Sequence, residues 1–322
     1  MSDNPLDAAS TAVAPFLGYG DAGTDTWVRM HRSDRRRLAM EAARGKDAAV
    51  LLSLTEAWLR TYSTAGATIA TATVENHKHG VRTLLAAWQE EDLLRPDAEA
   101  ATRYVRTMER QGLKPGTIHG RVAAARTLFR AQRWARASTH DPFADVHVPH
   151  DPTPPWEKRR PYDDDEIAAL LDSADPFDRM LVLLGAHGGL RAGECVRLEW
   201  RDVNMARRDL TIRVSKGGKT RTVGMSASLK QALQGLPRGP DGYVLPYRTP
   251  KTAWEHITAL CEKAGVAPKG MHSLRHSAGT RLYAETGDLE ETARHLGHAK
   301  LDTTRIYAKW NDRKLRETLG RW

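Results

Sequence analysis

Three short stretches of this 322-residue chain set cations among apolar and glycine neighbours. The first is Gly188-Gly189-Leu190-Arg191-Ala192-Gly193-Glu194. About 80 residues later comes His272-Ser273-Leu274-Arg275-His276, then Leu296-Gly297-His298, with Tyr307 nine positions beyond that last histidine. An ordinary helical domain has no need for so many cations in such surroundings. A pocket that binds one phosphodiester and attacks it with a tyrosine does.

Breaking a phosphodiester without metal or ATP makes three demands. A nucleophile must reach phosphorus, the non-bridging oxygens must be neutralised, and the leaving alkoxide must receive a proton. Arginine suits the oxygens, because its planar fork gives bidentate charge-assisted hydrogen bonds and stays protonated. Removing one such donor costs ~2.7–4 kcal/mol of transition-state stabilisation. A lysine whose pKa is lowered among other cations can act as general acid. Tyrosine forms a covalent phosphoryl intermediate that stores the bond energy, so rejoining needs no external energy source.

Composition narrows the classes further. The chain has no Gly-x-x-x-x-Gly-Lys-Ser/Thr loop, so phosphoryl chemistry here runs without ATP. Its two cysteines, Cys195 and Cys261, form no Cys-x-x-Cys pair. That excludes a disulfide scaffold and a cysteine-rich zinc site, and both read as small buried apolar residues. No cofactor and no metal are expected. The net charge of +9 points to a polyanionic partner, which charge alone does not resolve into nucleic acid or acidic membrane. No apolar run reaches the ~20 residues that span a bilayer. The start, Met1-Ser2-Asp3-Asn4-Pro5, lacks the pattern of a secretory signal. The expected location is cytoplasmic.

The elements that must position these residues fall into two domains. Residues 1–46, rich in Ala, Asp, Gly and Arg, read as an N-terminal extension, poorly ordered or partly helical. Within 47–140 four helices are expected, at 48–62, about 73–91, 97–111 and 117–136, punctuated by Pro96-Asp97, Gly112 and Lys114-Pro115-Gly116. On the fourth, Ile118, Val122, Ala125 and Phe129 repeat at helical spacing and should face a core. Arg126, Arg130 and Arg133 form a neighbouring stripe without balancing acids on the helix. It reads either as a solvated face or as a surface that tracks a phosphate backbone. Residues 141–160 read as an extended linker, with Asp141-Pro142, Val148-Pro149 and Pro154-Pro155 followed by Lys158-Arg159-Arg160. From 161 to 322 the pattern is mostly helical. Leu210–Val214 and Thr220–Gly224 are short strands around Lys216-Gly217-Gly218-Lys219, a β-hairpin. Leu315, Leu319 and Trp322 form an apolar stripe near the C-terminus. The fold class expected is mainly α (α+β): an N-terminal helical domain and a C-terminal helical domain with a small antiparallel sheet.

In order and spacing these motifs resemble the tyrosine recombinases, or phage integrase family, and among them the bacterial Xer-like members, over about 47–322. Gly189-Leu190-Arg191-x-x-Glu194 looks like the family's first arginine motif and Lys216 like its hairpin lysine. His272-x-x-Arg275-His276, Leu296-Gly297-His298 and Tyr307 match its second motif, third motif and nucleophile. The resemblance implies a four-helix, SAM-like core-binding domain at 47–140 and a catalytic domain at 161–322. It implies that Arg191 and Arg275 clamp the scissile phosphate and that His298 donates to a non-bridging oxygen. Lys216 would protonate the departing 5′ oxygen, with Lys219 as competitor, since hairpin register decides which points inward. Tyr307 would form a 3′-phosphotyrosyl bond, and His272 would assist its proton transfer or hold the pocket together. Tyr283 and Tyr243 do not stand at the family distance from Leu296-Gly297-His298. Glu194 would partner a cation, and His276 and His295 would support. Arg126, Arg130, Arg133, Lys158 and Arg159 are the candidate DNA contacts. The implied partners are duplex DNA with an inverted-repeat core site and a homotetramer, or a heterotetramer with a paralogue, in the nucleoid. The implied role is dimer resolution of chromosomes or plasmids, or integration and excision of a mobile element. A catalytically silent DNA-binding protein of the same fold and a type IB topoisomerase-like swivelase are the alternatives. The C-terminal stripe would either pack on its own core or dock on a neighbouring subunit.

Overall fold

The structure, a computed structural model, describes residues 23–158, 160–213, 220–298, 304, 306 and 307. Lys216, Lys219, Arg159 and the stripe Leu315, Leu319 and Trp322 lie outside the described residues. Contacts divide the chain into two units, Met1–Pro152 and Thr153–Trp322.

In the first unit the described helices are α1 (Gly23–Arg29), α2 (Arg32–Gly45), α3 (Ala48–Tyr62), α4 (Thr71–Ala87), α5 (Ala100–Arg110) and α6 (Pro115–Trp134). Asp47 starts α3 by accepting the Val50 amide, a side-chain cap. Pro115 stands at the start of α6, where its missing N–H costs nothing. Ile118, Val122, Ala125 and Phe129 are all buried, as their spacing predicts. The extension expected over 1–46 is more than an appendage. Trp27, Ala39, Ala42 and Ala43 enter the same core as α3–α6. Nor does the first unit stop where the linker was expected to begin. Phe143 has no exposed surface and stacks on Trp88 with ring centroids 5.5 Å apart.

The second unit holds α7 (Pro155–Lys158), α8 (Asp164–Ser173), α9 (Pro176–Ala186), α10 (Ala192–Cys195), α11 (Ala227–Gly235), α12 (Pro250–Ala264), α13 (Met271–Thr286) and α14 (Leu289–Leu296). Between α10 and α11 lies an antiparallel sheet in the order β1 (Val203–Asn204), β2 (Asp209–Arg213), β3 (Thr220–Gly224). Leu210 pairs with Val223 and Ile212 with Arg221. Leu210, Ile212 and Val223 are buried, so the two-residue period puts Arg221 on the covered face with Val223. Helix α8 opens with a capping box between Asp163 and Glu166. Helix α13 is buried over Ser273–Gly279. Its entry is held by Tyr162, whose hydroxyl accepts the amides of Lys269 at 2.7 Å and Gly270 at 3.2 Å.

Candidate active site

One carboxylate organises the cations. Arg191 precedes α10 in extended conformation, and its backbone amide donates to Glu194 Oε2 at 2.8 Å. The Arg191 guanidinium donates to Glu194 Oε1 at 2.9 Å. From β3, Arg221 meets the same carboxylate fork to fork, both bonds at 2.9 Å. Arg275, on α13, brings Nη1 to 3.9 Å from Glu194 Oε2. Burial pushes the Glu194 carboxyl up, but Arg221 and Arg191 outweigh it and hold the pKa at about 2. Glu194 is therefore an anion among three cations, shared with the sheet and α13.

Arg275 is 1% exposed. Its Nη1 donates to the Gly189 carbonyl and its Nη2 to the Leu296 carbonyl, both at 2.6 Å. These bonds tie the first and third motifs to the second. Burial, joined by the Arg191 charge, lowers its pKa to about 10, so it remains a cation at neutral pH. Arg191 is the more open of the pair, with its side chain 42% exposed.

Tyr307 has no exposed surface. Its ring lies where a Cβ on Gly279 would fall 2.4 Å from Cζ, so the absence of a side chain on α13 makes its seat. His276 Nδ1 is 3.3 Å from the Tyr307 hydroxyl. The His298 ring lies parallel to the tyrosine ring, centroids 6.1 Å apart. Burial raises the phenol pKa to about 12, against the pull of Arg275 and Arg191. Burial also lowers His298 to about 4, helped by the same two arginines, so the imidazole is neutral at pH 7. Its Nδ1 is 3.0 Å from Thr304 Oγ1. His272 is exposed at the start of α13, edge-on to His276 at 4.7 Å.

The site thus brings together Arg191, Arg275, His298 and Tyr307, with His272 reaching it through His276. Glu194 partners cations, as expected, and three of them share it. His276 meets the tyrosine hydroxyl. His295 faces the His187 backbone, and burial lowers its pKa. Arg221 was missed. Its signal was the two-residue period of β3, which sends Arg221 inward beside Val223, but only the paired register makes that visible. Gly297 leaves room for it, since a Cβ there would lie 2.6 Å from Arg221 Cδ.

The arginine stripe on α6 is used differently from the expectation. Arg126 donates to the carbonyls of Phe143 and Val146, both at 3.0 Å. Arg133 pairs with Asp141. The balancing acid and carbonyls come from residues 141–146, off the helix, where helical spacing cannot show them. Arg130 is exposed, with its guanidinium carbon 6.0 Å from the Trp58 ring centroid. Lys158 is exposed at the end of α7. No group of three or more metal-ligating side chains that could hold a metal occurs among the described residues, and none of their helices is long and apolar enough to cross a membrane.

A family profile described as the phage integrase family matches residues 162–314. The tyrosine recombinase XerC of Pseudomonas aeruginosa is 31% identical over 231 residues, 66% of this chain and 74% of that protein. XerA of Pyrococcus horikoshii is 27% identical over 238 residues, 70% of this chain and 80% of that protein. Among solved structures, XerH site-specific recombinase bound to a palindromic difH substrate superposes with a TM-score of 0.63 at 16% identity, covering 92% of each chain. A lambda integrase dimer bound to a core site gives 0.65 at 15% identity, covering 79% of this chain and 94% of that one. Both show the same fold. The class is that of enzymes that break and rejoin DNA strands. Within it, this chain belongs to the phage integrase family of tyrosine recombinases.

Proposed function

We propose that the chain recombines DNA at a specific site through a 3′-phosphotyrosyl bond on Tyr307, in the manner of Xer recombinases. The observation that carries the reading is the fully buried Arg275 beside the fully buried Tyr307, joined to Arg191 through Glu194. An arginine has five N–H donors. Two of those on Arg275 serve the carbonyls of Gly189 and Leu296, which leaves capacity for a phosphate oxygen. Arg191, half in solvent, supplies the second fork.

In the forward step a bond forms between Tyr307 Oη and phosphorus while the bond from phosphorus to the 5′ oxygen breaks. The phenol proton passes to the His272–His276 pair. Lys216 gives a proton to the departing oxygen, so the products are a 3′-phosphotyrosyl strand and a free 5′-hydroxyl. In this reading neutral His298 takes the tautomer whose Nδ1 accepts the Thr304 hydroxyl, which leaves Nε2–H to donate to a non-bridging oxygen. Rejoining reverses the step, with the incoming 5′-hydroxyl attacking and the tyrosine oxygen leaving. A buried hydroxyl cannot meet phosphorus, so Tyr307 leaves its seat against Gly279 before it reacts.

The palindromic substrate of XerH and the core-site dimer of lambda integrase support a duplex with inverted repeats as the partner here. We assign DNA gripping to the helical first unit, including the core-binding helices within 47–140, and exchange to a tetramer of this chain or of this chain with a paralogue. The role is resolution of chromosome or plasmid dimers, or movement of an element with simple core sites. The test is a plasmid carrying two copies of an inverted repeat taken from beside the gene. Resolution into two circles is expected. Supercoil relaxation without resolution would replace this reading with that of a swivelase, and tight binding without strand breakage would replace it with a silent binder.

A further inference from the structure

One half-buried histidine beside the site takes no part in the chemistry above. His187 caps the C-terminal end of α9, and the turn Gly188-Gly189-Leu190 runs from it to Arg191. Its ring is pinned on both edges. Nδ1 lies 2.8 Å from Ser226 Oγ, and Nε2 lies 3.1 Å from Nη1 of Arg281 on α13. A guanidinium only donates, so Nε2 accepts, and the imidazole is the neutral tautomer with its proton on Nδ1. Burial, joined by the Arg281 charge, lowers the His187 pKa to about 4, in keeping with that tautomer at neutral pH. Ser226 Oγ accepts this N–H together with the Leu229 amide at 3.2 Å, which starts α11. Arg281 is held from its other side by Asp164 of α8.

These contacts reach every motif of the site. Arg281 stands six residues after Arg275 on the same helix, and Ser226 two residues beyond β3, the strand that brings Arg221 to Glu194. On α14 the His295 side chain bonds to the His187 backbone, three residues before His298. The turn itself needs such holds. Gly188 and Gly189 give it its shape, with φ 64° at Gly189, but offer no side chain to fix it. Arg275 grips its middle through the Gly189 carbonyl, and Glu194 grips its far end through the Arg191 amide. His187 anchors its near end. A leucine of similar volume would fill the same space and leave Ser226 and Arg281 without these bonds. Packing alone does not call for an imidazole with both nitrogens engaged.

We propose that His187 is a positioning residue for strand cleavage, which holds the Gly188–Leu190 turn so that the Arg191 guanidinium meets the scissile phosphate. The inference rests on the reading of the chain as a DNA recombinase. His187 is not a base for Tyr307, because Arg281 occupies the one ring nitrogen that could take a proton. It acts through Arg191, and a catalytic group displaced by ~1 Å loses about 10²-fold in rate.

The test measures single-turnover cleavage by the full chain on a nicked duplex built from the inverted repeats beside its gene. Duplex affinity and melting temperature are read on the same samples. His187→Leu should slow cleavage about 10–100-fold. Its affinity for the duplex should stay within about 2-fold, because the loss falls on the transition state. His187→Gln keeps a donor and an acceptor on one planar group, and should recover to within about 3-fold of wild type. A second substrate carries a methylphosphonate at the phosphate that the wild-type chain cleaves. It lacks the charge that Arg191 neutralises, so the gap between His187→Leu and wild type should shrink there to less than about 3-fold. A merely loosened fold would leave that gap unchanged. Should His187→Leu not fold, Arg281→Gln takes its place, since that side chain is 36% exposed. It should slow cleavage about 3–10-fold with the same methylphosphonate signature. Wild-type cleavage in folded His187→Leu or in Arg281→Gln would overturn the proposal. So would an undiminished gap on the methylphosphonate, or a His187→Gln as slow as His187→Leu. A wild-type chain that forms no adduct on any duplex would instead strike the recombinase reading beneath it.

Discussion

Arginine serves two different purposes in the two units. In the second, Arg275 and Arg221 are withdrawn from solvent, 1% and 11% exposed at the side chain, and each guanidinium is held in place by assigned partners. In the first, Arg36, Arg44, Arg95 and Arg136 stand in water without ion pairs among the described residues. A buried cation must be matched by an anion and by hydrogen bonds, or desolvation expels it. It is therefore fixed in position, which is what a reacting phosphate requires. An exposed cation keeps its freedom and its hydration, and it contributes attraction without fixed geometry. The first arrangement suits chemistry and the second suits holding a long polyanion.

The sharpest way to break this contrast is to remove the shared anion. Glu194→Ala leaves Arg221 and Arg275 buried without their carboxylate, which should cost about 3–5 kcal/mol of stability, read by denaturant unfolding. Acid should do the same reversibly. The folded pKa of Glu194, about 2, lies below the ordinary 4.5, so its contribution is present above pH 4.5 and is lost as pH falls towards 2. That contribution is roughly 3 kcal/mol, and Glu194→Gln should flatten this part of the acid profile. Next in size is Arg191→Ala, whose target is rate. One lost phosphate donor should slow cleavage about 10²–10³-fold while the melting temperature moves little, because the side chain is 42% exposed. A large loss of stability with normal cleavage would reverse the division of labour argued here.

Smaller is Gly279→Ala. The added methyl collides with the Tyr307 ring and should cost about 1–3 kcal/mol. It should also expose the phenol, so that difference titration against the same variant carrying Tyr307→Phe shows the pKa falling from about 12 towards 10. Smallest is Arg36→Gln, which should leave folding within about 0.5 kcal/mol, since no ion pair is lost. A substantially larger destabilisation would mean that the exposed arginines are structural after all.

The candidate site was legible because the chemistry proposed for it fixes both residue type and spacing. Arg191, Arg275, His298 and Tyr307 stand in short motifs, and the structure brings them together through the carbonyls of Gly189 and Leu296. The four helices over 48–136 were legible from periodicity, as the burial of Ile118, Val122, Ala125 and Phe129 shows. What sequence hid depends on pairing between distant segments. Arg221 reaches Glu194 only because Ile212 pairs with Arg221, and a one-residue slip would turn it to solvent. Arg126 and Arg133 look unpaired on their helix because Phe143, Val146 and Asp141 lie beyond it. Helix α2 was obscured by composition. It seats itself with alanines, which carry little hydrophobic signal against so many arginines.

The central claim is that Tyr307 becomes covalently joined to DNA. It is tested most directly by incubating the full chain with nicked duplexes built from the inverted repeats beside its gene, then digesting with nuclease and trypsin. Cleavage after Arg305 and Lys309 isolates Tyr307 in the peptide Ile306–Lys309. Mass spectrometry should find that peptide carrying a 3′-linked nucleotide, and Tyr307→Phe should abolish the denaturation-resistant adduct. A nucleotide on any other residue, or an adduct that persists in Tyr307→Phe, would contradict the account.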